Sequence, residues 1–344
     1  MALLLEERRA AVVDNTHYGH VAVVDSQGNI LHSCGDPFFL AYGRSALKPM
    51  QVLPLLETGA ADHFSLTDEE IVLCAASHSA KDKQRELILQ MLEKTGRSLQ
   101  DLICGATPPP NPSDHDDIIR KEGELNRLCN CCSGVHAGMI ATAVYCNESV
   151  HGYEDIEHPV QQRVFEAVCD VTHYPKARVN IGIDGCGIPT YAMPLAYMAW
   201  GFARLTKPEL FTKKRGHAVE RIVEAMVRYP EMIVEEDCYN THLIRALHGR
   251  VLAKEGAKGL FGFCDRERNI GVAFKIEDGN KECIPTITNE LLRQLSIGTE
   301  QEQSALATYD RQDIVNTCQD AVGFMNPVFQ LSAYEGATRC LLDV

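Results

Sequence analysis

Ser45 and Lys48, in the run Arg-Ser-Ala-Leu-Lys-Pro, are the first pair of side chains whose spacing could support catalysis. Because residues at i and i+3 share one face of a helix, the Lys48 amine can reach the Ser45 hydroxyl. A serine needs a base to become a nucleophile, and a lysine acts as one only where its surroundings lower its pKa toward neutrality. The first helical turn, which tolerates Pro49, would also offer backbone N–H groups to an oxyanion. The pair indicates acyl transfer, although ordinary capped helices with a surface lysine share this spacing.

Ser77 offers a second hydroxyl, at the end of a predicted helix. The run Ser77-His78-Ser79 follows an apolar stretch over residues 67–76. Small polar residues after such a stretch can simply mark the end of a helix. The functional alternative is that Ser77 faces the same cleft as Ser45 and Lys48. The residues themselves leave both interpretations open.

Two adjacent thiols, Cys131 and Cys132, precede a predicted helix start at Ser133-Gly134. The helix dipole favours a thiolate at such a position. A zinc ion is held by several side chains, so a metal here would need donors from elsewhere in the chain. The spacing lacks the C-x-x-C signature, and a structural thiol pair is an equally good interpretation.

Two further segments place polar groups in sequences that are typical of turns. Asp184-Gly185-Cys186-Gly187 follows an apolar run, and its glycines predict a tight, exposed turn of the kind that often carries functional groups. A plain corner between a strand and a loop is the alternative. Lys254 begins the run Lys-Glu-Gly-Ala-Lys-Gly, whose composition alone indicates a solvated turn.

The composition bounds the class of protein. A hydrophobic content of 45% is normal for a globular chain, and a net charge of -14 argues against nucleic-acid or anionic-membrane partners, which usually require a basic face. No stretch approaches the roughly 18 apolar residues of a membrane span. Residues 1–5 are too few, and too soon followed by charges, for the core of a signal peptide. We therefore expect a cytosolic protein whose 14 cysteines are reduced.

Strand signals gather near both ends of the chain, and helical signals fill the middle. Residues 20–24 and 30–33 predict a hairpin around the turn 25–29, residues 259–264 and 270–276 predict two later strands, and residues 179–183 predict a short buried strand. The predicted helices cover residues 45–59, 67–76, 83–95, 116–122, 136–145, 159–171, 210–228 and 287–295. This order predicts an α+β fold with an antiparallel sheet built from both termini and flanked by a helical region.

Four motifs, taken in order, resemble the class 3 L-asparaginases, also called the thermolabile or rhizobial-type family. The motifs are Arg44-Ser45-Ala46-Leu47-Lys48-Pro49, Ala76-Ser77-His78-Ser79, Cys132-Ser133-Gly134 with His136-Ala137-Gly138, and Asp184-Gly185-Cys186-Gly187-Ile188-Pro189. Residues 254–259 and 274–279 continue the match. The resemblance implies a fold like that of the serine β-lactamases and glutaminases. A chain of 344 residues can form one large domain or two packed ones, and we predict a single catalytic domain over residues 1–344.

The resemblance also implies roles for particular residues. Two Ser-Lys pairs are expected, of which Ser45 with Lys48 is one and Ser77 with Lys254 is the other. Arg44 and Asp184 match positions that bind substrate. Cys132 and Cys186 match two cysteines that bind zinc together with a lysine. The family is typically homodimeric, so we expect a homodimer that binds a small-molecule amide and no nucleic acid or membrane.

This chain departs from the family pattern at several positions. Val135 replaces the lysine that would be the third zinc ligand, Cys131 replaces an asparagine, and residues 233–238 differ from a Gly-rich run that contains an arginine. We therefore predict that no cofactor is required and that zinc binds weakly or not at all, with Asp184 as the best substitute ligand. The departures also put the substrate in question.

The leading functional prediction is hydrolysis of L-asparagine to L-aspartate and ammonia by a serine nucleophile that a lysine activates. One alternative is an amidase of the same fold that acts on glutamine or another small amide. The other is a non-catalytic descendant, against which the intact Ser45, Lys48 and Ser77 argue.

Overall fold

The structure, a computed structural model, describes residues 1–336 and 340–343. Its strands are β1 (Ala2–Arg9), β2 (Val12–Asp25), β3 (Ile30–Cys34), β4 (Leu40–Tyr42), β5 (Asn180–Ile183), β6 (Pro189–Pro194), β7 (Val251–Gly256), β8 (Leu260–Asp265), β9 (Ile270–Ile276), β10 (Asp313–Val315), β11 (Ala321–Pro327) and β12 (Ser332–Ala333). Its α-helices are α1 (Lys48–Gln51), α2 (Leu53–Thr58), α3 (Ala60–His63), α4 (Asp68–Cys74), α5 (Asp82–Lys94), α6 (Pro112–Glu122), α7 (Ser133–Tyr145), α8 (Pro159–Thr172), α9 (Leu195–Arg204), α10 (Lys213–Arg228), α11 (Tyr239–Ala246), α12 (Ile284–Gln294) and α13 (Glu300–Ser304). The predicted α+β class is confirmed.

The chain divides into two compact units that interleave along the sequence. The first, here called the sheet unit, comprises Met1–Ala46, Met193–Lys207 and His242–Val344. The second, here called the helical unit, comprises Leu47–Ala192 and Pro208–Thr241. The single catalytic domain expected over residues 1–344 stays a prediction.

An antiparallel sheet with strand order β10-β11-β1-β2-β9-β8-β7 forms the sheet unit. β3 also pairs with β2, and β12 pairs with β3. The hairpin predicted near the start of the chain is β2 with β3, and the two predicted later strands are β8 and β9, which pair with each other. The sheet therefore takes strands from both ends of the chain, as the sequence predicted.

Two glycines allow α9 to pack closely across the sheet, where it contacts β9, β2 and β8. A Cβ atom at Gly271 would lie 1.9 Å from the Ala199 carbonyl oxygen, and one at Gly262 would lie 2.0 Å from the Phe202 ring. Every residue of α9 is buried. Because this helix is apolar on all sides, no polar face marks it in the sequence, and we did not predict it.

α7 is the central helix of the helical unit and packs against α2, α3, α4, α5 and α8. It is buried on all sides from Ser133 to Ala143. A Cβ atom at Gly134 would lie 2.2 Å from the Leu73 carbonyl oxygen, so only glycine lets α7 begin this close to the end of α4. The approach places Cys132, the N-cap residue of α7, near the segment that follows α4.

The continuous helix predicted over residues 45–59 is wrong. A 3₁₀ turn, Arg44–Leu47, is followed by the short helices α1 and α2. Pro54 has no N–H for the Met50 carbonyl, so the helix restarts with Pro54 in the first turn of α2. Gly59 ends α2 in the left-handed conformation, with φ 93°, as predicted.

Two expectations about burial are also wrong. Lys254 lies inside β7 with 0% of its surface exposed, and it is not part of a solvated turn. The strand predicted over residues 179–183 exists as β5, but it is mostly exposed, and Ile183 is 69% exposed. A short run of residues can specify an extended backbone, but it does not specify whether the strand is buried, because burial depends on segments that are distant in the sequence.

Candidate active site

The Lys48 ammonium group lies at the centre of a buried polar cluster in the helical unit. Lys48 is the first residue of α1, and its side chain is almost completely buried. Its Nζ donates hydrogen bonds to the Ala76 carbonyl oxygen, to Cys132 Sγ at 3.2 Å and to Ser77 Oγ at 3.4 Å. The Lys48 side chain thus contacts both the segment after α4 and the start of α7.

Backbone hydrogen bonds fix Ser77 beside Lys48. The segment Ser77–Ser79 is held between two other stretches of the helical unit. The bonds run from Ser77 N to Ile233 O (2.9 Å), from His78 N to Cys131 O (3.2 Å) and from Ser79 N to Val234 O (3.1 Å). Two of these acceptors belong to residues 233–238, the run that departs from the family pattern. A change in that run therefore acts directly on the backbone that carries Ser77.

Three thiols meet beside Lys48. Cys132 Sγ lies 3.8 Å from Cys131 Sγ, and the Cys186 thiol also hydrogen-bonds to Cys132. Cys186 is on the turn that joins β5 to β6, where Asp184 N donates to the Ile188 carbonyl oxygen at 2.8 Å. Gly187, with φ 98°, supplies the left-handed residue that this turn requires. The tight turn predicted from the glycines is therefore present.

Lys48 does not have the lowered pKa that a catalytic base requires. Burial acts to lower this pKa, but electrostatic interactions with the nearby thiols, that of Cys132 being the largest, outweigh burial, and the pKa is raised. Hydrogen bonds from Cys131 and Cys186, together with the charge of Lys48, hold the pKa of the Cys132 thiol well below its usual value. The pKa of Cys186 is raised, because it donates its proton to Cys132 and because it is buried. The directions of these shifts favour a proton on Lys48 over a proton on Cys132.

Two buried histidines flank the cluster, and neither was predicted as a site residue. Burial lowers the pKa of His78 to about 3 and that of His136 to about 4, so both rings are neutral at physiological pH. His78 Nδ1 accepts a hydrogen bond from Ala80 N, which leaves Nε2 to donate to Ser133 Oγ at 2.8 Å. His136 Nδ1 hydrogen-bonds to the Tyr153 hydroxyl at 2.7 Å. Both histidines occur inside the motifs quoted above, and that position was the only signal for them.

Of the remaining predicted site residues, Asp184 belongs to the helical unit, and Arg44, Ser45 and Lys254 belong to the sheet unit. Asp184 is half-buried, and its carboxylate accepts a hydrogen bond from Gly185 N at 2.6 Å. Arg44, with φ 49°, and Ser45 lie on the 3₁₀ turn in the sheet unit. Lys254 also lies in the sheet unit, where its Nζ donates to the Glu255 carbonyl oxygen at 2.9 Å. The structure thus brings Lys48, Ser77, Cys132 and Cys186 together, and the other assignments stay predictions.

The residues present do not fit the zinc ion that the resemblance implies. Position 135, where the family has its lysine ligand, is a buried valine without a donor atom. In residues 1–336 and 340–343, no group of three or more His, Cys, Asp and Glu side chains is arranged to hold a metal ion. Cys132 and Cys186 alone are too few protein ligands for tight binding.

The chain is similar to one protein family and to several solved structures. The family model described as L-asparaginase II matches residues 5–327. A search of curated proteins gives no match. Among solved structures, a β-lactamase from Mycobacterium bovis is similar at 12% identity, over 81% of this chain and 95% of that chain, with a TM-score of 0.41. A candidate β-lactamase from Bacteroides dorei is similar at 12% identity, over 80% of this chain and 93% of that chain, with a TM-score of 0.38.

Proposed function

The chain belongs to the L-asparaginase II family, and we propose that it hydrolyses the side-chain amide of L-asparagine to give L-aspartate and ammonia. Apart from the family itself, the observation that carries this proposal is the contact between Lys48 Nζ and Ser77 Oγ at 3.4 Å in a buried setting. A hydroxyl beside an amine is the arrangement that acyl transfer by a serine and a lysine requires.

The proposed reaction has two halves. In the first, the Oγ atom of Ser77 or Ser45 attacks the amide carbonyl, and the hydroxyl proton passes by way of Lys48 to the departing ammonia. The bond between carbonyl carbon and nitrogen breaks, which leaves an acyl-serine. In the second half, water attacks this ester and releases aspartate. Ser77 and Lys48 both belong to the helical unit, and the Ser77 hydroxyl lies within hydrogen-bond distance of Lys48 Nζ.

Lys48 must lose a proton before it can accept one from serine. In the arrangement observed, its ammonium donates to Ser77 Oγ, so this state precedes activation. Cys132 Sγ, at 3.2 Å, is the adjacent group that can accept the proton. Moving the proton from nitrogen to sulfur replaces two buried charges with two neutral groups, which a dry site favours once substrate excludes water.

Substrate recognition is proposed for Arg44 and Asp184, whose charges suit the α-carboxylate and the α-ammonium of an amino acid. Individual backbone N–H groups near Ser45 are the proposed oxyanion donors. A helix dipole adds little there, because α1 has only 4 residues and contains Pro49 in its first turn.

We expect the enzyme to prefer L-asparagine over L-glutamine. A pocket that holds the α-carboxylate and the α-ammonium of the substrate fixes the distance from these groups to the side-chain amide. One extra methylene therefore displaces the amide carbonyl from the serine. Such a difference is worth about 1 to 3 kcal/mol, or roughly 10- to 200-fold in kcat/KM. Ammonia release from both amides under identical conditions measures it. Equal or faster hydrolysis of glutamine would contradict the preference.

An amidase with another small substrate is the second candidate function. It is favoured by residues 233–238, because this departing run hydrogen-bonds directly to the backbone of Ser77 and Ser79. Turnover of a larger amide, with asparagine and glutamine both left intact, would support this candidate. Absence of hydrolysis across a panel of amides would support the non-catalytic alternative instead.

Zinc is proposed to bind weakly or not at all, and hydrolysis is proposed to need no cofactor. After dialysis against a chelator, elemental analysis should find clearly less than one zinc per chain, and the rate should change by less than about twofold, because two thiolates make an incomplete set of ligands. One tightly held zinc per chain after this treatment would contradict the proposal. So would a rate that falls with chelation and returns with added zinc.

A homodimer in the cytosol, with no nucleic-acid or membrane partner, completes the proposal. None of the helices in the described part of the chain has the length and apolarity that crossing a bilayer requires. The net charge of -14 supports the absence of nucleic-acid partners.

A further inference from the structure

The thiol cluster beside Lys48 has a property that the proposed hydrolysis does not use. Cys132 contacts two other thiols, Cys131 through a sulfur–sulfur distance of 3.8 Å and Cys186 through a hydrogen bond. Cys132 and Cys186 are both reduced in this structure. Thiols already in contact can be joined by an oxidant with little movement of the backbone, because the sulfur atoms need not be brought together from a distance.

Covalent geometry selects Cys186 as the partner of Cys132. Adjacent residues have Cα atoms about 3.8 Å apart, whereas disulfides usually join Cα atoms about 4.4 to 6.8 Å apart. A bond between Cys131 and Cys132 would therefore distort the peptide between them. Cys186 comes from a different segment and carries no such constraint.

The surroundings of Cys186 allow the small adjustment that bond formation needs. Its neighbours are Gly185 and Gly187, and a Cβ atom built on Gly185 would have no heavy atom within 4 Å. Gly185 is exposed, whereas Cys186 and Cys132 are themselves buried, so a small oxidant reaches the sulfur atoms when this turn moves. Cys132, at the start of the buried helix α7, is the fixed member of the pair.

We propose that Cys132 and Cys186 are a modification site, at which a hydroperoxide forms a reversible disulfide that stops hydrolysis. In the first step, one sulfur attacks the peroxide oxygen, the O–O bond breaks, and a sulfenic acid and an alcohol or water are formed. In the second step, the other thiol attacks the sulfenic sulfur and releases water. The two thiols lose two electrons and two protons in total, and the peroxide is reduced.

The disulfide acts on Lys48 and on the substrate-binding turn, a consequence that rests on the proposed function. Cys132 Sγ, which now accepts a hydrogen bond from Lys48 Nζ at 3.2 Å, becomes a poor acceptor and can no longer take the lysine proton. Asp184 lies two residues from Cys186 and moves with it. Both changes disfavour hydrolysis.

The bond itself is tested without an activity assay. Purified protein is treated with hydrogen peroxide, alkylated, digested and mapped by mass spectrometry, with and without dithiothreitol. We expect a peptide that joins Cys132 to Cys186, present after oxidation and absent after reduction. The matched variants are Cys186→Ser, which should abolish the cross-linked peptide, and Cys131→Ser, which should keep it. A cross-link between Cys131 and Cys132, or irreversible acids without any cross-link, would overturn the proposal.

The effect on rate is tested on the same samples. The ratio of hydrolysis rates before and after peroxide should be at least about tenfold for the natural sequence and for Cys131→Ser, with recovery on reduction, and close to one for Cys186→Ser. Equal loss in Cys186→Ser would contradict the switch. If the reduced protein hydrolyses no amide while the cross-link forms, the proposed function fails and the modification site stands.

Discussion

Replacing Lys48 with methionine should lower amide hydrolysis by about 100-fold or more, because the variant keeps the length of the side chain and loses the group that transfers the proton. Lys48 Nζ is the only described donor that joins Ala76, Ser77 and Cys132 within the helical unit. The measurement is kcat and kcat/KM for asparagine, with a thermal melt to show that the variant is folded.

Two further variants distinguish a base from a positive charge. Lys48→Arg keeps the charge but cannot give up its proton, so it should be as inactive as Lys48→Met if proton transfer is the role. Lys83→Met removes an exposed ion pair with Glu69 in the same unit and should leave the rate near normal. Near-normal hydrolysis by folded Lys48→Met, or by Lys48→Arg, would contradict the role of Lys48 in proton transfer.

Replacing Ser77 with alanine should also lower hydrolysis by about 100-fold or more, since the loss of a serine that acts in acyl transfer is among the most damaging changes to such enzymes. Ser79→Ala is the matched control in the same segment. Ser79 is completely buried, and its Oγ makes no hydrogen bond to the described residues, so its removal should barely change the rate. A Ser77→Ala variant as active as Ser79→Ala would contradict the role of Ser77.

Peptide mapping identifies the serine that is acylated. Turnover by the natural sequence is stopped by rapid quenching, and the acyl group should then be found on Ser77 or on Ser45. If it is found on Ser45 in the natural sequence, Ser77 acts through Lys48 as a positioning residue, and Ser77→Ala should slow acylation of Ser45.

Four strands of the sheet, β2, β3, β8 and β9, could be predicted from the sequence, because hairpins are specified locally. The turn between β2 and β3 and the alternation in β9 mark β3, β9 and the end of β2, but β2 begins at Val12, well before the predicted start at residue 20. β7 and α9 escaped prediction, since Lys254 and Gly256 lower the strand signal of the first and the second has no polar face. These elements are defined by what packs against them, which no short window of sequence contains.

The chemistry of the candidate site was harder to predict than its residues. The motifs selected Lys48, Ser77, Cys132 and Cys186, and the structure places them in one cluster. The pKa of Lys48 depends on thiols from two separated segments, Cys131–Cys132 and Cys186, so the motif alone could not show whether this pKa is lowered as a catalytic base requires. His136 was missed for the same reason, because its role depends on burial beside Tyr153.

The proposal that Lys48 supports hydrolysis of L-asparagine is tested most directly by ammonia release. The purified, reduced protein is assayed with L-asparagine, L-glutamine and a panel of larger amides. Lys48→Met serves as the control for contaminating amidases. We expect steady release from asparagine, slower release from glutamine, and loss of both in Lys48→Met. No release from asparagine by the folded protein, or equal release by Lys48→Met, would contradict it.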